Sequence, residues 1–230
     1  MKRYQNPFST LTKREYAIWI VSLVIVTASF FLGTERDILT LIASLIGVTA
    51  LIFVAKGDVM GQILTVVFAV VYSIISMRLQ YYGEMITYLF MSAPIAFLST
   101  ISWLRHPYEE GKNEVKVARL PPRAWVLLSL ASVAVTVAFY FILAYFNTAN
   151  LLVSTFSVTT SFFAASLTFL RSPYYGLGYA ANDIVLIILW GFASFGNPQY
   201  LPMVLCFAAF LLNDVYGFFN WKRMRVRQNK

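Results

Sequence analysis

Two short stretches near the C-terminus, "NDIVLIILW" (182–190) and "LNDVYGFFNW" (212–221), each set an Asn–Asp pair inside an otherwise apolar run. A carboxylate at the centre of a bilayer costs about 2.5–3.5 kcal/mol even on lenient insertion scales, so Asp183 and Asp214 must face protein or a water-filled cavity. At helical spacing, Tyr179, Asn182, Asp183, Leu186 and Trp190 form one stripe. Asn213, Asp214, Gly217, Asn220 and Trp221 form a second, with Tyr216 beside Gly217. Each stripe combines amide, carboxylate and indole. That set suits a small, hydroxylated, aromatic ligand, preferably cationic, because a cation over an aromatic face gains about 0.5–2 kcal/mol. A phosphate dianion has no partner in the spans, where Arg78 stands alone at an edge. Gln62, Tyr72 and Tyr88, in the first half of the chain, are further candidates for a ligand path.

Each of these residues also has a plainer role open to it. Intramembrane Asn side chains join helices, at about 0.6 kcal/mol per bond. Trp190 and Trp221 lie near span ends, where interfacial aromatic belts form. Gln62, Tyr72 and Tyr88 could be ordinary packing. A pair of aspartates sharing a proton could serve an aspartyl protease. That chemistry needs Tyr-Asp and Gly-x-Gly-Asp motifs, whereas "GLGYAAND" (176–183) separates its glycines from Asp183 and neither Asp follows a Tyr. No catalytic residue, and so no enzyme, is expected. Proton-coupled transport and an ion channel are the other classes that intramembrane carboxylates admit.

These residues need membrane helices to hold them. The 230 residues are 59% hydrophobic and only 12% charged, well below the charge of a soluble domain. Apolar runs near the length of a bilayer crossing place spans at 17–33, 37–55, 59–79, 82–104, 125–147, 150–170, 174–195 and 200–221. Pro94 predicts a kink in the fourth, and "KGD" (56–58) and "GNPQYLP" (196–202) are turns. A single Cys (Cys206) and a single His (His106) leave no disulfide and no Cys/His metal site, and no cofactor is expected.

With the N-terminus in the cytoplasm, Lys2, Arg3, Lys13, Arg14, Lys56, Arg105, Lys112, Lys116, Arg119, Arg123, Arg171, Lys222, Arg223, Arg225, Arg227 and Lys230 all fall inside, and Arg36 and Arg78 outside. This distribution predicts an even number of spans with both termini cytoplasmic. It accounts for the net charge of +8 without any nucleic-acid partner.

The one sizeable loop, "RHPYEEGKNEVKVARLPPR" (105–123), divides two blocks that resemble one another. Lys56 with Gly61 and Arg171 with Gly176 recur at one offset, and Trp103 and Trp221 each close a block before basic residues. The expected organisation is one transmembrane domain with an extra N-terminal helix (17–33). A first triple-helix repeat (37–104), a linking helix (125–147) and a second triple-helix repeat (150–221) follow, a parallel-repeat arrangement found among transporters.

The stretches "NDIVLIILW", "LNDVYGFFNWKR" (212–223) and, more weakly, "YYGEM" (81–85) resemble the PnuC family of bacterial vitamin transporters, over residues from about 50 to 223. The resemblance implies an all-α, three-plus-one-plus-three, SWEET-like fold in the cell inner membrane, with the substrate held between the triplets. It also implies uncoupled uptake of nicotinamide riboside (vitamin B3, a precursor for NAD biosynthesis), with a cytoplasmic kinase trapping it by phosphorylation. Asn182 and Trp190 match the family's seventh-span motif, and Asn213 with Tyr216 and Gly217 matches the eighth. The Asn side chains would meet ribose hydroxyls and Trp190 would stack on the base. The fourth span, "SAPIAFLSTISW" (92–103), departs from the pattern in having Trp103 without a second Trp or an amide. Thiamine, riboflavin or a deoxynucleoside, carried by relatives, is the alternative substrate, and proton coupling the alternative mechanism. Partners beyond substrate, bilayer and kinase are not implied, and homo-oligomerisation is left open.

Overall fold

In the computed structural model, residues 6–32, 37–78, 80, 82–148, 150–196 and 200–229 are described. Expectations placed on Lys2, Arg3, Arg36, Tyr81 and Lys230, and on 197–199 of the turn, lie outside the described residues. Eight helices are long and apolar enough to cross a membrane: α1 (Lys13–Leu32), α2 (Ile38–Lys56), α3 (Val59–Arg78), α4 (Tyr82–Arg105), α5 (Pro122–Tyr145), α6 (Leu151–Phe169), α7 (Tyr175–Gly196) and α8 (Leu201–Gln228). A single 3₁₀ turn (Phe8–Thr10) precedes them. Among the described residues, strand pairing is limited to two isolated bridges, Asp58 with Glu114 and Pro107 with Val115.

The helix ends explain where the spans depart from their apolar runs. α1 begins at Lys13 rather than 17 because Thr12 and Glu15 form a reciprocal capping box: the Thr12 amide donates to Glu15 Oε2 at 2.6 Å, and the Glu15 amide to Thr12 Oγ1 at 3.3 Å. Asp37 caps α2 by accepting from the Leu39 and Thr40 amides, and the Thr40 hydroxyl holds its carboxyl below the usual carboxylate range. α8 runs on past Trp221 to Gln228, because its polar last turns are bonded to the loop and need no apolar surroundings. In α4 the kink expected from Pro94 takes the form of a π-helical segment, Thr87–Ser92, between α-helical Tyr82–Ile86 and Ala93–Arg105. Proline has no N–H to donate and crowds the carbonyl one turn back, and widening that turn relieves both.

α2 packs on α3 and α3 on α4, while α6 packs on α7 and α7 on α8. Between the two groups, α2 meets α8 and α4 meets α6. α5 lies against α6, and α1 against α8 and α2. The α7–α8 contact is close because Gly217 leaves room for Tyr175, whose hydroxyl a Cβ there would meet at 2.3 Å.

At the end of the bundle that carries the described termini, two tryptophans join the groups reciprocally. Trp103 of α4 donates its indole N–H to the Thr168 carbonyl of α6 at 3.0 Å, and Trp221 of α8 to the Val54 carbonyl of α2 at 2.9 Å. Their rings lie 5.3 Å apart, and Tyr175 packs on Trp221 at 4.8 Å. The same two carbonyls also accept the amides of Gly57 and Arg171, at 2.9 and 3.0 Å. Both residues end their helices in the left-handed conformation, with φ of 75° and 56°. The loop 106–119 then crosses both ends, its Val115 amide donating to the Gly57 carbonyl and its Ala118 amide to that of Arg171. The structural equivalence is thus Gly57 with Arg171, one residue away from the Lys56–Arg171 pairing read in the sequence. Gly61 and Gly176 differ in role, since a Cβ would strike α2 at Gly61 and α8 at Gly176.

α1 is held by polar groups. Glu15, only 1% exposed, pairs with Lys56 at 3.1 Å and accepts from the Tyr216 hydroxyl at 3.0 Å. Asn213 donates to Ser22 at 2.8 Å, and Trp19 to Thr49 at 3.1 Å.

Thermal unfolding of the detergent-purified protein tests both attachments. Trp103→Phe and Trp221→Phe each remove one bond, worth about 1 kcal/mol, and lower the Tm by about 2–4 °C. Glu15→Ala strands Lys56 and the Tyr216 hydroxyl and lowers Tm further, for about 2–3 kcal/mol. Unchanged melting in the tryptophan variants would show the two bonds to be idle.

Candidate substrate cavity

A cavity of about 250 Å³ lies among α1, α2, α3, α4, α7 and α8. Its lining residues come from the halves of these helices away from the tryptophan-joined end. Trp190, for instance, is six residues from the end of α7 at Gly196, about 9 Å along the axis.

Two aromatic walls shape it. On one side Phe68, Tyr72 and Tyr88 form a cluster, with Tyr72 at 4.5 Å from Tyr88 and 5.6 Å from Phe68. On the other, Trp190 packs on Tyr200 at 5.6 Å. Polar lining comes from Glu84, Ser29, Thr40, Ser44, Ser76 and Cys206, and neither Lys nor Arg is among the described residues that line it. Glu84 Oε2 accepts from the Tyr72 hydroxyl at 2.8 Å. Such a space offers π-faces to a flat ring, small hydroxyls to a sugar and one carboxylate to a cation, and its described lining holds no basic side chain for a phosphate.

Of the twelve residues singled out in the sequence, Tyr72, Tyr88 and Trp190 line this cavity. Asn182 is buried and accepts from the Thr160 hydroxyl of α6 at 2.9 Å. Asn213, Tyr216, Asn220 and Trp221 all bond to neighbouring helices: Asn213 to Ser22, Tyr216 to Glu15, Asn220 to the Ala55 carbonyl and Trp221 to the Val54 carbonyl. Gly217 makes room for Tyr175, and Gln62 is buried near the start of α3, at the far end from the cavity. None of these seven lines the cavity. Periodicity put the α8 residues on one face correctly but could not say that α1 and α2 cover it.

Asp183 and Asp214 occupy the level between the cavity and the tryptophans. Both are 3% exposed, and they are near enough to act on each other electrostatically. Asp183 Oδ2 has no hydrogen-bond partner among the described residues. Asp183 is near enough to Tyr88 and Cys206 of the cavity wall to act on them electrostatically, and Asp214 to Tyr175 and Tyr179 on the other side. Ionisable groups thus form a column from the cavity towards the tryptophan pair.

The sequence reading passed over Glu84, Phe68, Tyr200, Ser44 and Cys206. Glu84 had a signal, as a carboxylate two residues into a membrane helix within "YYGEM". Tyr200 stood in a turn motif and Phe68 in an unbroken apolar run, where nothing marks a cavity wall.

The family described as "Nicotinamide mononucleotide transporter" matches residues 37–223. The chain is 27% identical to the nicotinamide riboside transporter PnuC of Neisseria mucosa over 217 residues, covering 93% of this chain and 82% of that one. It is 22% identical to the protein of the same name from Haemophilus influenzae over 228 residues, covering 99% and 98%. Among solved structures, one described as the crystal structure of the vitamin B3 transporter PnuC superposes with a TM-score of 0.81 at 28% identity, covering 96% of this chain and 95% of that one. The eight-helix bundle and the matched stretch together place this chain in the PnuC family of membrane transporters.

Proposed function

We propose that this protein carries nicotinamide riboside across the bacterial cytoplasmic membrane by uncoupled facilitated diffusion, with both termini cytoplasmic and a cytoplasmic kinase trapping the riboside by phosphorylation. The observation that carries the reading is the cavity itself, with aromatic walls on two sides and, among the described residues, one carboxylate and no basic residue in its lining. Nicotinamide riboside pairs a cationic pyridinium with a hydroxylated ribose and bears no phosphate. The mononucleotide named in the family description would bring a phosphate with no Lys or Arg to receive it.

In this reading α2–α4 and α6–α8 are two triplets with α5 as their link and α1 as a brace. The cross-pairing of α2 with α8 and of α4 with α6 supports it, being the pattern that a two-fold relation between the triplets would generate. The cavity side faces outward and the tryptophan-joined end closes the cytoplasmic route. Riboside enters between Tyr72/Tyr88 and Trp190. Rocking of the triplets then separates Trp103 from Thr168 and Trp221 from Val54, and the ligand leaves past Asp183 and Asp214. The kinase step keeps the inside concentration of free riboside low, so no ion gradient is required.

The carboxyl pair favours a second reading, in which Asp183 and Asp214 relay a proton during transport. Uptake into proteoliposomes separates the two: the uniport reading expects rates unchanged when a proton gradient is collapsed, and arrest of uptake would establish coupling.

Calorimetry on the purified protein tests the substrate. Nicotinamide riboside binds, and the mononucleotide binds at least about tenfold more weakly; a preference for the mononucleotide overturns the reading. Trp190→Ala weakens riboside binding by about 1–2 kcal/mol while the protein still inserts and purifies, and unchanged affinity would remove Trp190 from the site.

A further inference from the structure

We propose that Glu84 is the charge-selecting residue of the cavity, the group that makes it prefer a positively charged ring over a neutral ring of the same shape. The proposal rests on the riboside reading above for its first probe. Among the described residues, Glu84 is the one carboxylate that lines the cavity, and no Lys, Arg or His lines it with Glu84. It forms no ion pair among the described residues, and its only hydrogen bond is the 2.8 Å contact from the Tyr72 hydroxyl to Oε2. A carboxyl that a membrane helix carries into a cavity, with no cation beside it among the described residues, is matched by a ligand that brings the positive charge.

The setting fixes how that carboxylate is presented. Tyr72 is wedged between Phe68 and Tyr88, so the hydroxyl that holds Oε2 comes from a side chain with little freedom to turn. Oε1 is left without a partner among the described residues. The same three rings offer π-faces beside it. A flat cation between the aromatic walls would therefore meet carboxylate and π-face together, away from bulk water, where charge interactions are strongest. A purely structural role, as an acceptor for Tyr72, would be met equally by a glutamine. That separates the two explanations.

The test compares wild type with Glu84→Gln, which keeps the shape and the acceptor for Tyr72, against nicotinamide riboside and its reduced dihydropyridine form, which is neutral and differs by one hydride. Wild type binds the cationic form more tightly. Glu84→Gln loses about tenfold or more in affinity for the cation and stays within about twofold for the neutral form. Glu84→Asp, which keeps the charge, retains the preference for the cation. An equal loss for both forms, or no loss for either, overturns the proposal. If wild type binds neither riboside, the substrate reading fails by itself. The same two proteins are then measured with thiamine, which is cationic, and thymidine, which is neutral. A thiamine preference abolished by Glu84→Gln upholds the proposal, and its persistence, or binding of neither ligand, overturns it.

Discussion

Two indole N–H groups hold this bundle in its present form. Each is donated across the midline, from the third helix of one group to the carbonyl at the end of the first helix of the other. Those carbonyls are available because Gly57 and Arg171 stop their helices in the left-handed conformation and turn the chain away. Each oxygen uses one lone pair for the turn and the other for the indole. The crossing loop seals the junction by bonding to the next carbonyl on each side. Trp103, Trp221 and Tyr175, at 2%, 0% and 0% exposure, fill the space between the two groups at this end. The cavity lined by Tyr72, Tyr88 and Trp190 lies in the other half.

Several polar groups join helices directly: Glu15 to Lys56 and Tyr216, Asn213 Nδ2 to Ser22, Asn220 to the Ala55 carbonyl. A lipid interior favours such bonds, since an unmet donor or acceptor there costs more than a bond returns. Among the described residues the buried side-chain atoms without a partner are Arg171 Nε, the Tyr175 hydroxyl, Asp183 Oδ2 and Asn213 Oδ1. In the cavity Ser29 and Ser44 bond to carbonyls of their own helices, while Glu84 Oε1 has no partner among the described residues. Between the cavity and the tryptophans, Asp183 and Asp214 lie close enough to interact electrostatically, and Asp183 Oδ2 has no hydrogen-bond partner among the described residues.

How much of this was legible in the sequence follows from what periodicity can encode. The number of helices was readable because a bilayer requires about twenty apolar residues per crossing, and "KGD" with its glycine announced a helix stop. Ends were less so, because the capping box at Thr12–Glu15 and the polar extension of α8 lie outside any apolar run. The stripe Asn213–Gly217–Asn220 was correct as a face, yet its neighbours are set by how α1 folds back, which spacing does not carry. Glu84 was visible as a letter but its partner Tyr72 sits on another helix. That contact exists only in three dimensions.

The single cysteine of the chain, Cys206, lines the cavity, and its labelling in intact cells by a membrane-impermeant thiol reagent tests site, orientation and ligand together. The predicted result is modification from outside, slowed by nicotinamide riboside and unaffected by the mononucleotide at equal concentration. Modification from the cytoplasmic side alone, or modification that the riboside leaves unchanged, would contradict the placement of the substrate in this cavity.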